Sequence, residues 1–182
     1  MLELSAARRP AALVDSAPLR PLAPATRYIL RGAEGVMTAA GKELALTLAA
    51  APCRASLGGS YAALWLGPDE RLLLAAASDT TLGVRLERCL RELPHSLVDV
   101  SHRQTAFEVS GPQTLTLLAA GIALDLAAHA FPVGMCTRTM LAKSEIVLWR
   151  TAEQCFRIEV WRSFAAYVSR FLAEAARGLE PA

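Results

Sequence analysis

The sequence contains no asparagine, which excludes N-linked glycosylation. Aromatic residues make up only 6% of it, too few for a platform on which nucleic-acid bases stack. Charge of one sign is lacking too. The formal net charge is +2 and the arginines are scattered, so nothing resembles the basic stripe that tracks a phosphate backbone. Long apolar runs are also missing: "LALTLAAAPC" and "LTLLAAGIAL" are too short to span a bilayer, and Asp125 and His129 interrupt the stretch after the second. No G-x-G-x-x-G and no P-loop supplies a cradle for nucleotide phosphates, and no G-x-S-x-G supplies a nucleophile elbow. Cys53, Cys89, Cys136 and Cys155 form no C-x-x-C pair; free thiols in a reducing cytoplasm are the expectation.

What is present is apolar. The chain has 182 residues, enough for one domain or two small halves sharing a core. Its apolar share is 53% and its mean hydropathy +0.32, which implies a rich core or a surface covered by a partner. Residues 1–27 lack the apolar centre of a secretory signal and read as an extended Pro/Ala-rich arm.

Beyond the arm, "RYILRG" has the pattern of a strand and "AEGVMTAAGKELALTLAA" that of a helix ended by Pro52. "YAALWLG" and "RLLLAAA" flank the turn-forming "PDE" as a hairpin. Leu82, Leu86, Cys89, Leu90 and Leu93 share one helical face, with Ser78 or Asp79 placed to cap it. The remainder runs in parallel. "TAFEVS" is a strand, "GPQTLTLLAAGIALDL" a helix, and "TRTMLAK", "EIVLWRT" and "CFRIEVW" are strands. "SFAAYVSRFLAEAARG" is a helix burying Phe164, Tyr167, Val168, Phe171, Leu172 and Ala175, capped by Ser163 and Gly178. Leu64-Trp65 aligns with Leu148-Trp149, so the halves read as a pseudo-repeat. The expected fold is α+β, with two ferredoxin-like (split βαβ) halves of mostly antiparallel sheet, spanning residues 28–95 and 96–180.

Candidate chemistry centres on "SLVDVSHRQTAFEVSGP". Adjacent residues of an extended chain point to opposite faces, so His102 is badly placed to take a proton from Ser101. The simpler reading of Ser101-His102-Arg103 is a polar crossing between two strands. Ser110-Gly111-Pro112-Gln113 matches a capping box with proline in the first helical turn. The spacing of His95, His102, His129 and Cys136 gives no support to a metal site. Trp65, Trp149 and Trp161 lie on strands as packing or interface residues, and Arg150 and Arg162 are expected to be solvated or interfacial. No catalytic residue, cofactor-binding residue or metal ligand emerges.

These same residues carry a resemblance. "LVDVSHRQTAFEVSGPQTLTLLAAG" resembles a segment of the folate-dependent aminomethyltransferases. "ALWLGPDERLLL", "FPVGMCTRTMLAKSEIVLWRT" and "FRIEVWRSFAAYVSRFL" are similar to the gamma subunit family of heterotetrameric sarcosine oxidase, in the right order from about Tyr28 to Leu179. The resemblance implies a folate-domain fold within a cytoplasmic complex. That complex converts sarcosine, oxygen and tetrahydrofolate to glycine, hydrogen peroxide and methylene-tetrahydrofolate. FAD, FMN, NAD and the folate chemistry would belong to larger alpha and beta subunits and zinc to a small delta subunit, with no cofactor on this chain.

The transferases carry a glycine-rich turn and an acidic residue where this chain has "LAKSEIVLWRT". Here Glu145 is the only nearby acid, and Val147 and Trp149 take the carboxylate's ground. This departure implies a subunit without chemistry of its own, with His102, Arg103, Trp149, Arg150 and Trp161 at a subunit interface. Two other readings stay open: a stand-alone folate-binding enzyme using His102 or Glu145, and the small subunit of another N-methyl amino acid dehydrogenase.

Overall fold

Apolar and polar residues alternate along Cys155–Trp161, and the alternation sorts them onto two faces. Phe156, Ile158 and Val160 enter one core, while Arg157, Glu159 and Trp161 face away from it. In this computed structural model, which describes residues 18–48 and 50–179, the same logic builds two sheets. Residues 1–17, most of the expected arm, lie outside the described residues. The elements in chain order are β1 (Leu19–Pro21), β2 (Ala25–Gly32), α1 (Glu34–Leu44), β3 (Ala55–Gly58), β4 (Tyr61–Gly67) and β5 (Glu70–Ala76). Next come α2 (Leu82–Leu90), β6 (His95–Asp99), β7 (Gln104–Ser110), α3 (Thr114–Ala119), β8 (Cys136–Leu141), β9 (Ser144–Ala152), β10 (Cys155–Trp161) and α4 (Arg162–Arg177).

One sheet has the order β3-β4-β5-β2-β6 and the other β1-β7-β10-β9-β8, with every neighbouring pair antiparallel. Setting aside the edge strands β3 and β8, each sheet shows the split βαβ order of a ferredoxin-like unit. The fourth strand of the second unit, β1, comes from ahead of the first unit. It pairs with β7 through Leu19 and Val109. In the same way β6, at residues 95–99, completes the first sheet against β2, so sheet membership runs past residue 95.

The layers are helix, sheet, sheet, helix. Leu30, Ala63, Leu73 and Ala75 pack on Val36, Ala40, Leu82, Leu86 and Leu90 of α1 and α2. Phe107, Leu148, Phe156 and Ile158 pack on Leu117, Val168 and Leu172 of α3 and α4. A third cluster lies between the sheets: Ala62, Leu64, Leu72 and Leu74 from one, Cys136, Val147 and Trp149 from the other. Leu64 therefore faces the opposite sheet, while Leu148 faces its own helices. The Leu-Trp alignment of the halves is one residue out of phase, and a one-residue slip in a strand exchanges its faces.

Several local expectations are corrected. Helix α1 stops at Leu44 rather than Pro52, because Ala45 turns left-handed (φ 52°). Ala45 N–H then donates to the Lys42 carbonyl and Leu46 N–H to the Gly41 carbonyl, a Schellman turn that folds Leu46 into the core. The capping box does not form. Ser110 stays in β7 opposite Cys155, Gly111 turns the chain at φ 119°, and the Gln113 amide donates to the Leu179 carbonyl instead. Helix α3 ends after Ala119, and a Cβ at Gly121 would lie 2.6 Å from the Phe171 ring. Helix α4 starts at Arg162 without a side-chain cap, and Phe164 and Tyr167 of its expected core face are exposed.

Arg150, expected at the surface, is 2% exposed. Its Nη1 donates to the Leu126 carbonyl at 3.1 Å and the Phe131 carbonyl at 2.7 Å, and Nε and Nη2 both donate to the Glu153 carbonyl. The guanidinium lies over the Phe156 ring, 5.2 Å from its centroid. The irregular segment between α3 and β8 is thereby tied to the β9–β10 hairpin. Arg150→Met orphans these carbonyls, and equilibrium urea denaturation should show a loss of about 3 kcal/mol.

Candidate functional site

The Ser101-His102-Arg103 turn passes the chain from one sheet to the other. Arg103 and Gln104 N–H groups donate to the Val100 carbonyl at 3.0 and 3.1 Å, which closes the turn. Ser101 N–H donates to Asp99 Oδ1 at 2.8 Å, an Asx turn that sets its direction. The Ser101 hydroxyl is already engaged by β2: Arg27 N–H donates to it at 2.9 Å, and Val100 N–H donates to the Arg27 carbonyl at 2.9 Å. His102 is exposed at the apex. The Arg103 guanidinium stacks over Trp161 at 5.1 Å, and the Arg103 carbonyl accepts the Arg162 N–H at 2.7 Å. One turn thus grips β2 on one side and the start of α4 on the other, as the polar-crossing reading of the sequence expects.

Behind the turn, between the sheets, lies a buried ionic cluster that sequence reasoning missed. Arg27 Nε of β2 donates to Glu159 Oε2 of β10 at 2.7 Å, with side-chain exposures of 2% and 0%. Arg27 Nη1 donates to the Ala25 carbonyl at 3.0 Å. Arg157 approaches from the cluster's outer side, its Nε donating to Glu159 Oε1 at 2.8 Å. Two guanidiniums therefore share one carboxylate, and both carboxylate oxygens are engaged. The sequence gives no signal for it, because Glu159 shares the polar face of β10 with Arg157 and Trp161, a face that reads as solvated. A second inter-sheet ion pair, Arg138 to Glu70 at 2.8 Å, lies nearer the surface. At the edges of the two sheets, Arg54 and Met135 form a single antiparallel bridge.

Of the expected interface residues, the structure leaves His102, Arg103 and Trp161 exposed, Trp161 by 41%. Trp149 and Arg150 are a correction: at 7% and 2% exposure they are enclosed by the chain itself. Trp149 lies in the apolar cluster between the sheets, while Arg150 is held by its three carbonyls. Glu145 is exposed near the β8–β9 turn, and no hydrogen bond or ion pair joins it to His102 among the described residues. All four cysteines are free thiols. Burial pushes the Cys136 thiol up to about 11, so it stays protonated and non-nucleophilic at neutral pH.

Among the described residues no group of three or more His, Cys, Asp or Glu side chains could hold a metal ion. No helix among them is long and apolar enough to cross a membrane. A cavity of about 930 Å³ lies away from the crossing, beside α1 and the β4–β5 turn, with Met37, Lys42, Trp65 and Arg71 on its walls.

The fold places the chain first in a broad class. It superposes on the glycine cleavage system aminomethyltransferase T from Bartonella henselae with a TM-score of 0.64 at 16% identity, covering 87% of this chain and 46% of that one. At that identity the likeness is one of fold. Residues 31–178 match the model of the "Sarcosine oxidase, gamma subunit family", and the chain belongs to that family. It is 32% identical over 161 residues to the sarcosine oxidase subunit gamma of Corynebacterium sp. (strain U-96), covering 86% of this chain and 78% of that protein. It also superposes on a chain of the heterotetrameric sarcosine oxidase from Corynebacterium sp. U-96. There the TM-score is 0.85 at 31% identity, covering 98% of this chain and 94% of that one.

Removing either partner of the buried pair strands a charge between the sheets. Glu159→Gln should cost about 3–5 kcal/mol in urea denaturation, whereas Arg27→Met with Glu159→Leu should recover most of that loss. Equal losses in the single and double variants would show that the carboxylate matters for some reason other than Arg27.

Proposed function

We propose that the chain is the gamma subunit of a heterotetrameric sarcosine oxidase and that it serves assembly of the complex rather than a chemical step. The observation that carries this reading is the end-to-end structural match to a chain of a solved heterotetrameric sarcosine oxidase. The crossing turn supports the non-catalytic part. The Ser101 hydroxyl is hydrogen-bonded to the Arg27 backbone, and the Glu159 carboxylate is enclosed by two guanidiniums. A carboxylate enclosed between the sheets at 0% exposure is out of reach of a reacting amine, and the Ser101 hydroxyl is committed to the β2 backbone. In this reading FAD, FMN, NAD and tetrahydrofolate are handled by alpha and beta subunits, zinc by a delta subunit, and the setting is the cytoplasm.

Affinity purification of the tagged chain from its native host, with intact masses and a visible spectrum of the eluate, tests the reading. Large co-purifying subunits with flavin absorbance are expected. A colourless single chain that binds tetrahydrofolate would overturn the proposal in favour of a stand-alone folate enzyme. Within the complex, His102→Ala with Arg103→Ala should lower the yield of assembled enzyme several-fold and leave turnover per assembled flavin unchanged. Normal assembly with lost turnover would assign the crossing a chemical role instead.

A further inference from the structure

The aromatic side chains that this chain exposes fall on one line. Trp161, Phe164 and Tyr167 are 41%, 43% and 39% exposed, and they are the only aromatic residues among the large apolar side chains exposed in the described part of the chain. Four residues on from Tyr167 comes Phe171, whose ring centroid is 6.4 Å from that of Tyr167. The buried face of α4 is made by Ala165, Val168, Ser169 and Leu172, with Phe171 packed at its edge, so the exposed rings of Phe164 and Tyr167 are not needed to hold the helix on its sheet. It borders the crossing turn, because Arg103 stacks on Trp161.

The line is basic as well as aromatic. Helix α4 carries Arg162, Arg170, Glu174 and Arg177, and its one carboxylate is paired with Arg177 at 3.1 Å. Arg103 and Arg170 have no carboxylate partner among the described residues. Of the acids at this end, Asp99 accepts the Ser101 N–H, and Glu145 lies one register step beyond the Val160–Ile146 pair. Exposed aromatics beside arginines have the composition of an interface centre rather than of ordinary solvated surface.

Building on the assembly role above, we propose that Trp161, Phe164 and Tyr167, with Arg103 and Arg170, form the face on which a larger subunit docks, through a segment carrying acidic side chains next to apolar ones. The apolar residues of that segment cover the rings, and its carboxylates meet the two arginines. Desolvation at the centre of the contact strengthens those pairs relative to exposed ones.

The test uses the tagged full-length chain, captured with its partners from the native host. Phe164→Ser with Tyr167→Ser should reduce recovered complex at least tenfold, as should Arg103→Glu with Arg170→Glu, while Val84→Ser at the 73%-exposed position on α2 leaves it unchanged. Unfolding midpoints within a few degrees of wild type would show that the variants fold. The sequence holds two lysines, Lys42 and Lys143, so Arg170→Lys adds one new site for carbodiimide coupling to carboxylates. A cross-link from position 170 to an Asp or Glu of a large subunit is the expected result. Assembly at wild-type yield in both double variants would overturn the docking face while leaving the subunit assignment intact. Loss of assembly with no cross-link from position 170 would overturn the acidic nature of the partner segment. Failure of the wild-type chain to bring down any larger subunit would overturn the assignment and the docking face together.

Discussion

A guanidinium and a carboxylate, each almost wholly withdrawn from water, hold two sheets in one alignment. Apolar contact between the inner faces is strong but non-directional, and Ala62, Leu64, Leu72 and Leu74 could slide over Val147 and Trp149 at small cost. The pair between Arg27 and Glu159 tolerates no such slip, since either group left alone in that seam would be an unpaired buried charge. The inner strands β2 and β10 are thereby fixed against each other, and the crossing turn inherits its geometry from them. Ser101 grips the backbone of the same Arg27 whose side chain forms the pair.

This arrangement explains how a stretch that resembles part of an enzyme can be structural here. A serine, a histidine and an arginine in a row invite a catalytic reading. Their chemistry is spent locally: the hydroxyl on a backbone amide, the guanidinium on an indole, the backbone on closing a turn. What the turn exposes, His102 and the Arg103–Trp161 stack, adjoins the aromatic line of α4. One short segment therefore connects the inner staple with the outer surface.

The fold class was legible because both halves repeat the order of periodicities, and periodicity reports burial. β10 and α2 are clear cases, with Phe156, Ile158 and Val160 at intervals of two and Leu82, Leu86 and Leu90 at intervals of four. What escaped was decided by contacts distant in sequence. β1 is three residues long and owes its existence to pairing with β7. Helix α1 has the alanines and leucines to continue, but Leu46 gains more by folding into the core. Arg150 and Glu159 carry no mark that separates a buried charge from a solvated one, because their partners are backbone carbonyls in a loop and a guanidinium 132 residues away. Phe164 and Tyr167 show the reverse ambiguity: aromatic residues on an amphipathic helix read as core, and only the packing of α4 shows which stripe faces outward.

The place of β1 has a consequence for how such a chain acquires its shape. Strand β1 leaves the ribosome before any part of the sheet it will complete, and its ion pair Arg20–Glu108 closes across 88 residues. Until β7 arrives, the whole first sheet can form between β2 and β6 while residues 19–21 wait without a template. The N-terminal strand then closes the second unit as a late, long-range event, and the two units end up linked by two strands of chain rather than by one. Cutting the chain at the crossing would therefore not yield two independent modules: the second would be left without its edge, and the first would trail a strand with no sheet to join.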